Sequence, residues 1–169
     1  GNYPFTITDN NGCLYNNNIN ISEPDSLLVN TTSTNASCSG YSDGTALLFI
    51  TGGTPNYNIN WGLSNPNALN AGIHTYTVSD SNNCEVQGFV IINEPQPTLI
   101  IVDTIGVSCF GLSDGSAILN VSGGAGAPYT ENWGGLNPNL LSAGTHTISV
   151  TDANNCSTQV AVIITEPSE

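Results

Sequence analysis

Five cysteines, two histidines, two tryptophans and a set of Asp-containing turns are the residues of this chain whose types and spacing suit chemistry. The thiols stand at Cys13, Cys38, Cys84, Cys109 and Cys156, with no CxxC pair and no Cys-His cluster. Such wide, regular spacing suits disulfides rather than a zinc centre, and hence an oxidising compartment. Asp43-Gly44, Asp80-x-Asn82-Asn83, Asp114-Gly115 and Asp152-x-Asn154-Asn155 place oxygen ligands in turns. Calcium prefers carboxylate and carbonyl oxygens, so Asp43, Asp80, Asp114 and Asp152 are candidate calcium turns, although none follows an EF-hand loop. The simpler use of the same residues is to bond their own backbone. His74 and His146 have the chemistry of a metal ligand or a pH sensor. No HExxH, paired-acid motif or Gly-rich strand-to-helix loop accompanies them, so no enzyme and no resident cofactor are expected.

The same residues recur because the chain repeats itself. The segment from Cys38 to Gly44 returns 71 positions later as Cys109 to Gly115. Gly52-Gly53 returns as Gly123-Gly124, Trp61 as Trp133, His74-Thr75 as His146-Thr147, and Asn82-Asn83-Cys84 as Asn154-Asn155-Cys156. Glu94-Pro95 returns as Glu166-Pro167, and Tyr3, Asp9, Cys13 and Glu23-Pro24 align with the back half of the same pattern. Residues 1–24 therefore read as the end of one copy, 25–95 as a second and 96–169 as a third. A chain that enters in mid-copy is expected to be a piece of a longer array. Arrays of small modules build reach and multivalent surfaces more often than active sites. Tyr3 stands where the other copies have His74 and His146, which favours a structural aromatic near a sheet corner over a ligand.

The elements that must position these residues are strands. Ala46, Leu48 and Ile50 match Ala117, Leu119 and Val121, a period-two pattern that marks a core face, while Phe49 points the other way. Tyr76 and Val78 match Ile148 and Val150, with Phe5 and Ile7 in the partial copy. Ile19 and Ile21 match Val90 and Ile92, then Val162 and Ile164. Tyr57 and Trp61 lie four apart, as do Tyr129 and Trp133, so each pair shares one strand face and is expected in the core. Turn residues separate the runs every 8–12 residues and no stretch has helical periodicity, which predicts all-β modules of sandwich type.

Composition narrows the partners. The 169 residues include no Lys or Arg and 13 acidic groups, for a formal charge of −13. Nothing here neutralises phosphates, which excludes nucleic acid and disfavours anionic membrane surfaces. No apolar run is long enough to cross a membrane, so no membrane insertion is expected. Only 8% of residues are charged, leaving a surface of Asn, Ser, Thr and Gly.

Spacing alone leaves the disulfide pairing open. Cys38–Cys84 and Cys109–Cys156 would lie within copies, each closing a loop of roughly 46 residues worth about 4 kcal/mol in the chain-entropy model. Cys13–Cys38 and Cys84–Cys109 would straddle each Glu-Pro and need the flanking strands to fold back. If the linkers are extended, some 25 residues at ~3.3 Å each put the straddling pairs out of range. That favours the within-copy pairs, with Cys13 unpaired or bonded to an upstream residue.

The ordered series Cys-x-Gly-x-x-Asp-Gly, Gly-Gly-x-Pro-x-Tyr, Trp, Ala-Gly-x-His-Thr, Asp-x-Asn-Asn-Cys and Glu-Pro resembles the SprB repeat over nearly the whole chain. The resemblance implies Ig-like or PKD-like β-sandwich modules strung as beads in a very large adhesin of gliding Bacteroidota. It further implies export by type IX secretion, an extracellular cell-surface location and a filament that grips the substratum. Extracellular surfaces or polysaccharides, neighbouring repeats and self-association are the partners it suggests. His74 and His146 depart from the Tyr usual in that family, and the segment from Trp61 to Gly72 shows no full-length strand. Asp25-Ser26-Leu27 and Asp103-Thr104-Ile105 resemble the Asp-Ser/Thr-hydrophobic O-glycosylation motif of secreted Bacteroidota proteins, which makes Ser26 and Thr104 candidate acceptors placed after Glu-Pro linkers.

Overall fold

The computed structural model describes every residue, Gly1–Glu169, as strands and turns with no helix. The strands are β1 (Asn2–Thr8), β2 (Leu14–Asn20), β3 (Leu28–Thr34), β4 (Thr45–Thr51), β5 (Asn58–Asn60) and β6 (Gly72–Ser79). They continue as β7 (Glu85–Ile92), β8 (Gln96–Ile105), β9 (Ser116–Gly124), β10 (Thr130–Asn132), β11 (Gly144–Thr151) and β12 (Ser157–Ile164). Their sheets are β1–β2, β3–β4, β5–β6–β7, β8–β9 and β10–β11–β12. A two-stranded sheet followed by a three-stranded one therefore occurs twice, as the sequence copies require. The expected all-β architecture is the one the chain adopts.

The chain divides into two compact units that do not follow the copy boundaries. One comprises Gly1–Thr31, Leu48–Gly62 and Thr75–Gly88, the other Thr32–Leu47, Leu63–His74 and Phe89–Glu169.

In the second unit, β8–β9 and β10–β11–β12 contribute to one sandwich core of Val107, Ala117, Leu119, Leu141, Ile148, Val150, Val162 and Ile164. Alternation puts Ile148 and Val150 of β11 inward, each fully buried, while Thr147 just before them is exposed and Ser149 between them is half-buried. Burying side chains of this size stabilises the fold by about 1.5–3 kcal/mol each. Glycine is required in the repeated Asp-Gly by close approach. A Cβ on Gly115 would lie 2.6 Å from Ile164 Cγ2 and 2.9 Å from the Leu141 carbonyl oxygen, and Gly44 is hemmed in the same way by Ile92 and Leu69.

In the first unit, Trp61 leans on Tyr76 with ring centroids 5.2 Å apart. Gly88 leaves room for that tyrosine, since a Cβ there would meet its hydroxyl at 2.3 Å. The next copy has Ile148 and Val160 at these two positions, directly paired across β11 and β12. One large and one small residue have been exchanged for two of middle size, which keeps the volume filled.

The aromatic core expected from sequence needs correction. Tyr57, Trp61, Tyr129 and Trp133 are only half-buried, and Tyr129 and Trp133 flank the core cluster rather than form its centre. The reason is polar: Tyr57 donates its hydroxyl to the Gly52 carbonyl at 2.6 Å, Tyr129 to that of Gly123 at 2.7 Å, and Trp133 Nε1 to Glu131 at 2.8 Å. Aromatics with a polar end settle where that end finds a partner. The core centre includes residues the strand pattern did not single out. Leu69 and Leu141 are both 1% exposed and sit in the irregular segment before β6 and before β11. Each is held by two backbone bonds to the motif glycine, Leu69 to Gly44 and Leu141 to Gly115.

Candidate functional site

The Asp-x-Asn-Asn-Cys turn shows why its residue types recur. Asp152 Oδ1 accepts the backbone N–H groups of Asn154 and Cys156, each at 2.9 Å, and Oδ2 accepts that of Ala125 at 2.7 Å. Asn155 takes a positive φ of 65°, a conformation Asn tolerates better than most residues. Asp80 repeats the arrangement with Asn82, Cys84 and Thr54, and Asp9 with Asn11 and Cys13. Each carboxylate clamps the backbone so that the cysteine thiol is presented in one place.

A second carboxylate clamp holds the other cysteine of each copy. Asp43 Oδ1 accepts the Ser37 N–H at 2.9 Å and Oδ2 the Ser37 hydroxyl, while Asp114 does the same for Ser108 at 2.9 and 2.5 Å. Glu94 and Glu166, read from sequence as linker residues, accept the N–H groups of Gly40 and Gly111 at 2.5 and 3.4 Å. Ser37, Ser108 and the two glutamates were missed as site residues. Their signal was the repetition of Ser-Cys and Glu-Pro, which has no local meaning until the turn is folded.

These bonds hold the aspartates in their ionised form. The carboxyl pKa of Asp9 is lowered chiefly by the Cys13 N–H, of Asp80 by the Thr54 N–H and of Asp152 by the Ala125 N–H. Those of Asp43 and Asp114 are lowered first by the Ser37 and Ser108 hydroxyls. The candidate calcium turns thus put their oxygens to work on N–H and O–H donors.

The structure corrects the disulfide pairing. Cys38 bonds to Cys156, with Cα atoms 5.7 Å apart, whereas Cys13, Cys84 and Cys109 are free and exposed. The expected pairs Cys38–Cys84 and Cys109–Cys156 do not form, and the geometry of the last copy shows why. The Cys109 turn lies at the far end of β12, where Val107 N–H bonds to the Thr165 carbonyl and Gly111 N–H to Glu166. Cys156 immediately precedes the start of β12, and eight strand residues span about 25 Å, far beyond bonding range. The first cysteine of one copy instead meets the second cysteine of the copy that follows.

Around this bond lies a cleft of about 240 Å³, lined on one side by Cys38, Ser39 and Tyr41 and on the other by Pro97, Asp152 and Cys156 among others. Asn154 closes the contact by donating its amide to the Ser37 carbonyl at 3.0 Å.

The remaining candidates stand apart from this site. His74 is buried; its Nε2–H donates to the Asn70 carbonyl at 2.9 Å, and the Ser64 hydroxyl lies 3.0 Å from Nδ1. His146 Nε2 donates likewise to Ser142 at 2.9 Å, so both imidazoles tie down the loop ahead of their strand. Ser26 and Thr104 are both exposed, but Thr104 lies within β8, paired with Ala117, rather than in a linker.

Residues 30–62 and 103–133 each match the family model of the SprB repeat. No curated protein and no solved structure matches the chain. Each matched segment contains a Cys-x-Gly-x-x-Asp-Gly turn and ends at or beside a Gly-Gly, Tyr and Trp series, the part of the copy that carries the first cysteine and its clamp.

Proposed function

We propose, for a chain that carries two SprB repeats in tandem, a role as an arrayed segment of a secreted, surface-exposed adhesin-like protein. The observation that carries this reading is the bond between Cys38 and Cys156, which fastens one copy to the next. A covalent fastening between successive copies suits an element that must transmit tension along an array, and its persistence suits an oxidising, extracellular setting. The wider reading, from resemblance, is a Bacteroidota gliding filament exported by type IX secretion. Contact with a substratum would then come from many weak interactions of Asn-, Thr- and Tyr-bearing surfaces, added over the array. Exposed Tyr41, Phe49, Leu63 and Phe110 are the apolar groups available for such contacts.

A quartz microbalance with polysaccharide-coated and bare surfaces tests this directly. Saturable adsorption of the folded chain is expected. A folded, monomeric chain that adsorbs to neither surface would make the segment a passive spacer. Antibody against the chain is expected to label intact cells of the source organism, and loss of gliding on deletion of the segment checks the wider reading.

A further inference from the structure

The first unit contains an unfilled version of the cleft just described. Around Cys84, a cleft of about 370 Å³ is lined by Asp25, Ser26, Leu27, Gly53, Asp80 and Glu85 among others. Residue for residue these are the counterparts of Gln96, Pro97, Thr98, Gly124, Asp152 and Ser157 around Cys156. What the Cys84 cleft lacks is the inserted turn that Cys38, Ser39 and Tyr41 supply to the other. The thiol is already placed: Asp80 Oδ1 holds the Cys84 N–H at 2.9 Å, as Asp152 holds Cys156, and Asn83 and Asn155 share positive φ values of 63° and 65°. The Asn82 amide, counterpart of the Asn154 amide that grips Ser37, rests instead on Thr54 Oγ1 at 2.8 Å.

The same chain carries an unused turn of the inserting kind. Leu112 N–H bonds to the Cys109 carbonyl at 3.2 Å, as Tyr41 N–H bonds to that of Cys38. Asp114 holds Ser108 as Asp43 holds Ser37, and Gly111 and Gly40 share a φ of 77°. Cys38 is buried in its bond, whereas Cys109 is free and exposed.

We propose that the Cys84 cleft receives the Cys109–Gly115 turn of a second copy of this chain and that Cys84 and Cys109 join as a disulfide. The turn and the cleft are different surfaces, so the contact is head-to-tail and leaves one of each free for a further molecule. The product is a linear, covalently fastened chain of molecules that continues the pattern of Cys38–Cys156. A small-molecule disulfide such as oxidised glutathione is the oxidant. The Cys109 thiolate attacks it, forming a mixed disulfide and releasing one glutathione thiol. The Cys84 thiolate then attacks the Cys109 sulfur and releases the second, so two protein thiols are oxidised and one glutathione disulfide is reduced.

The proposal rests on the tandem arrangement and not on adhesion, so its test uses no surface. The chain is incubated in a glutathione redox buffer, resolved on non-reducing gels and mapped after chymotrypsin, since trypsin has no site here. A ladder of multimers joined by Cys84–Cys109 is expected. Cys84→Ser and Cys109→Ser should each abolish the ladder, and the two variants mixed should give a dimer and nothing larger. Cys13→Ser should leave the ladder intact. Asn82→Ala should lower the ladder's yield severalfold with thiol reactivity towards a small reagent unchanged. Cross-links that include Cys13 as often as Cys84, a Cys84–Cys109 bond within monomers, or an Asn82→Ala ladder equal to the parent's would overturn the proposal.

Discussion

The hairpins β1–β2 and β11–β12 are built on one plan and end in different states. In both, an Asp clamps a cysteine in the turn, and the strands pair in the same register: Tyr3, Phe5 and Ile7 oppose Ile19, Asn17 and Tyr15, as His146, Ile148 and Val150 oppose Val162, Val160 and Thr158. Yet Ile7, Ile19 and Ile21 are 57%, 53% and 58% exposed, while their counterparts Val150, Val162 and Ile164 are 0%, 0% and 2% exposed. Cys13 is free where Cys156 is bonded. The hairpin geometry is thus local, encoded by turn and alternation. Its burial is conferred by a facing sheet, which β8–β9 supplies to β11–β12 within the second unit.

The largest test of that contrast acts on the cysteines. Cys156→Ser is expected to cost about 5 kcal/mol in the chain-entropy model, since the bond closes a separation of 118 residues. Cys13→Ser should leave denaturant unfolding unchanged. Ile148→Ala should cost about 2–5 kcal/mol, through lost burial and the cavity left behind. Ile7→Ala should stay within about 0.5 kcal/mol, and equal costs at the two sites would break the comparison. Tyr129→Phe, which removes only the bond to Gly123, should cost about 1 kcal/mol.

Acid probes the turns that both hairpins share. The folded carboxyl pKa values of Asp9, Asp43, Asp80, Asp114 and Asp152 lie below the ordinary 3.8, so the unfolded chain binds protons more readily. Their stabilisation is complete above the ordinary carboxyl range and is lost as pH falls through it and below. Melting temperature should therefore fall on acidification below about pH 4, and more steeply than in Asp152→Asn. Millimolar calcium is expected to leave the melting temperature where it was, because the turn oxygens already accept N–H and O–H donors. A calcium-dependent rise would assign those turns a metal.

Much of this molecule was legible in its residues. The repeat, the strand faces at Leu119, Val150 and Val162, the outward Phe49 and the turns at Asp80 and Asp152 all follow from spacing and alternation. These features are set by neighbours a few residues away, and short-range sterics and hydrogen bonding decide them. Tyr57, Tyr129 and Trp133 were read as deeper than they are, because hydrophobic size shows in sequence while the need of a hydroxyl or indole N–H for a partner does not. Leu69 and Leu141 escaped because their burial depends on a bridge to Gly44 and Gly115 rather than on a strand.

The sequence by itself determined that this chain is a tandem of all-β copies with cysteines at repeated positions. Only the tertiary structure decided which cysteine meets which. A disulfide requires two thiols within a few ångströms, and that distance depends on how segments 118 residues apart come together. Spacing along the chain measures contour length, which a folded strand turns into separation for Cys109 and Cys156 and which folding cancels for Cys38 and Cys156.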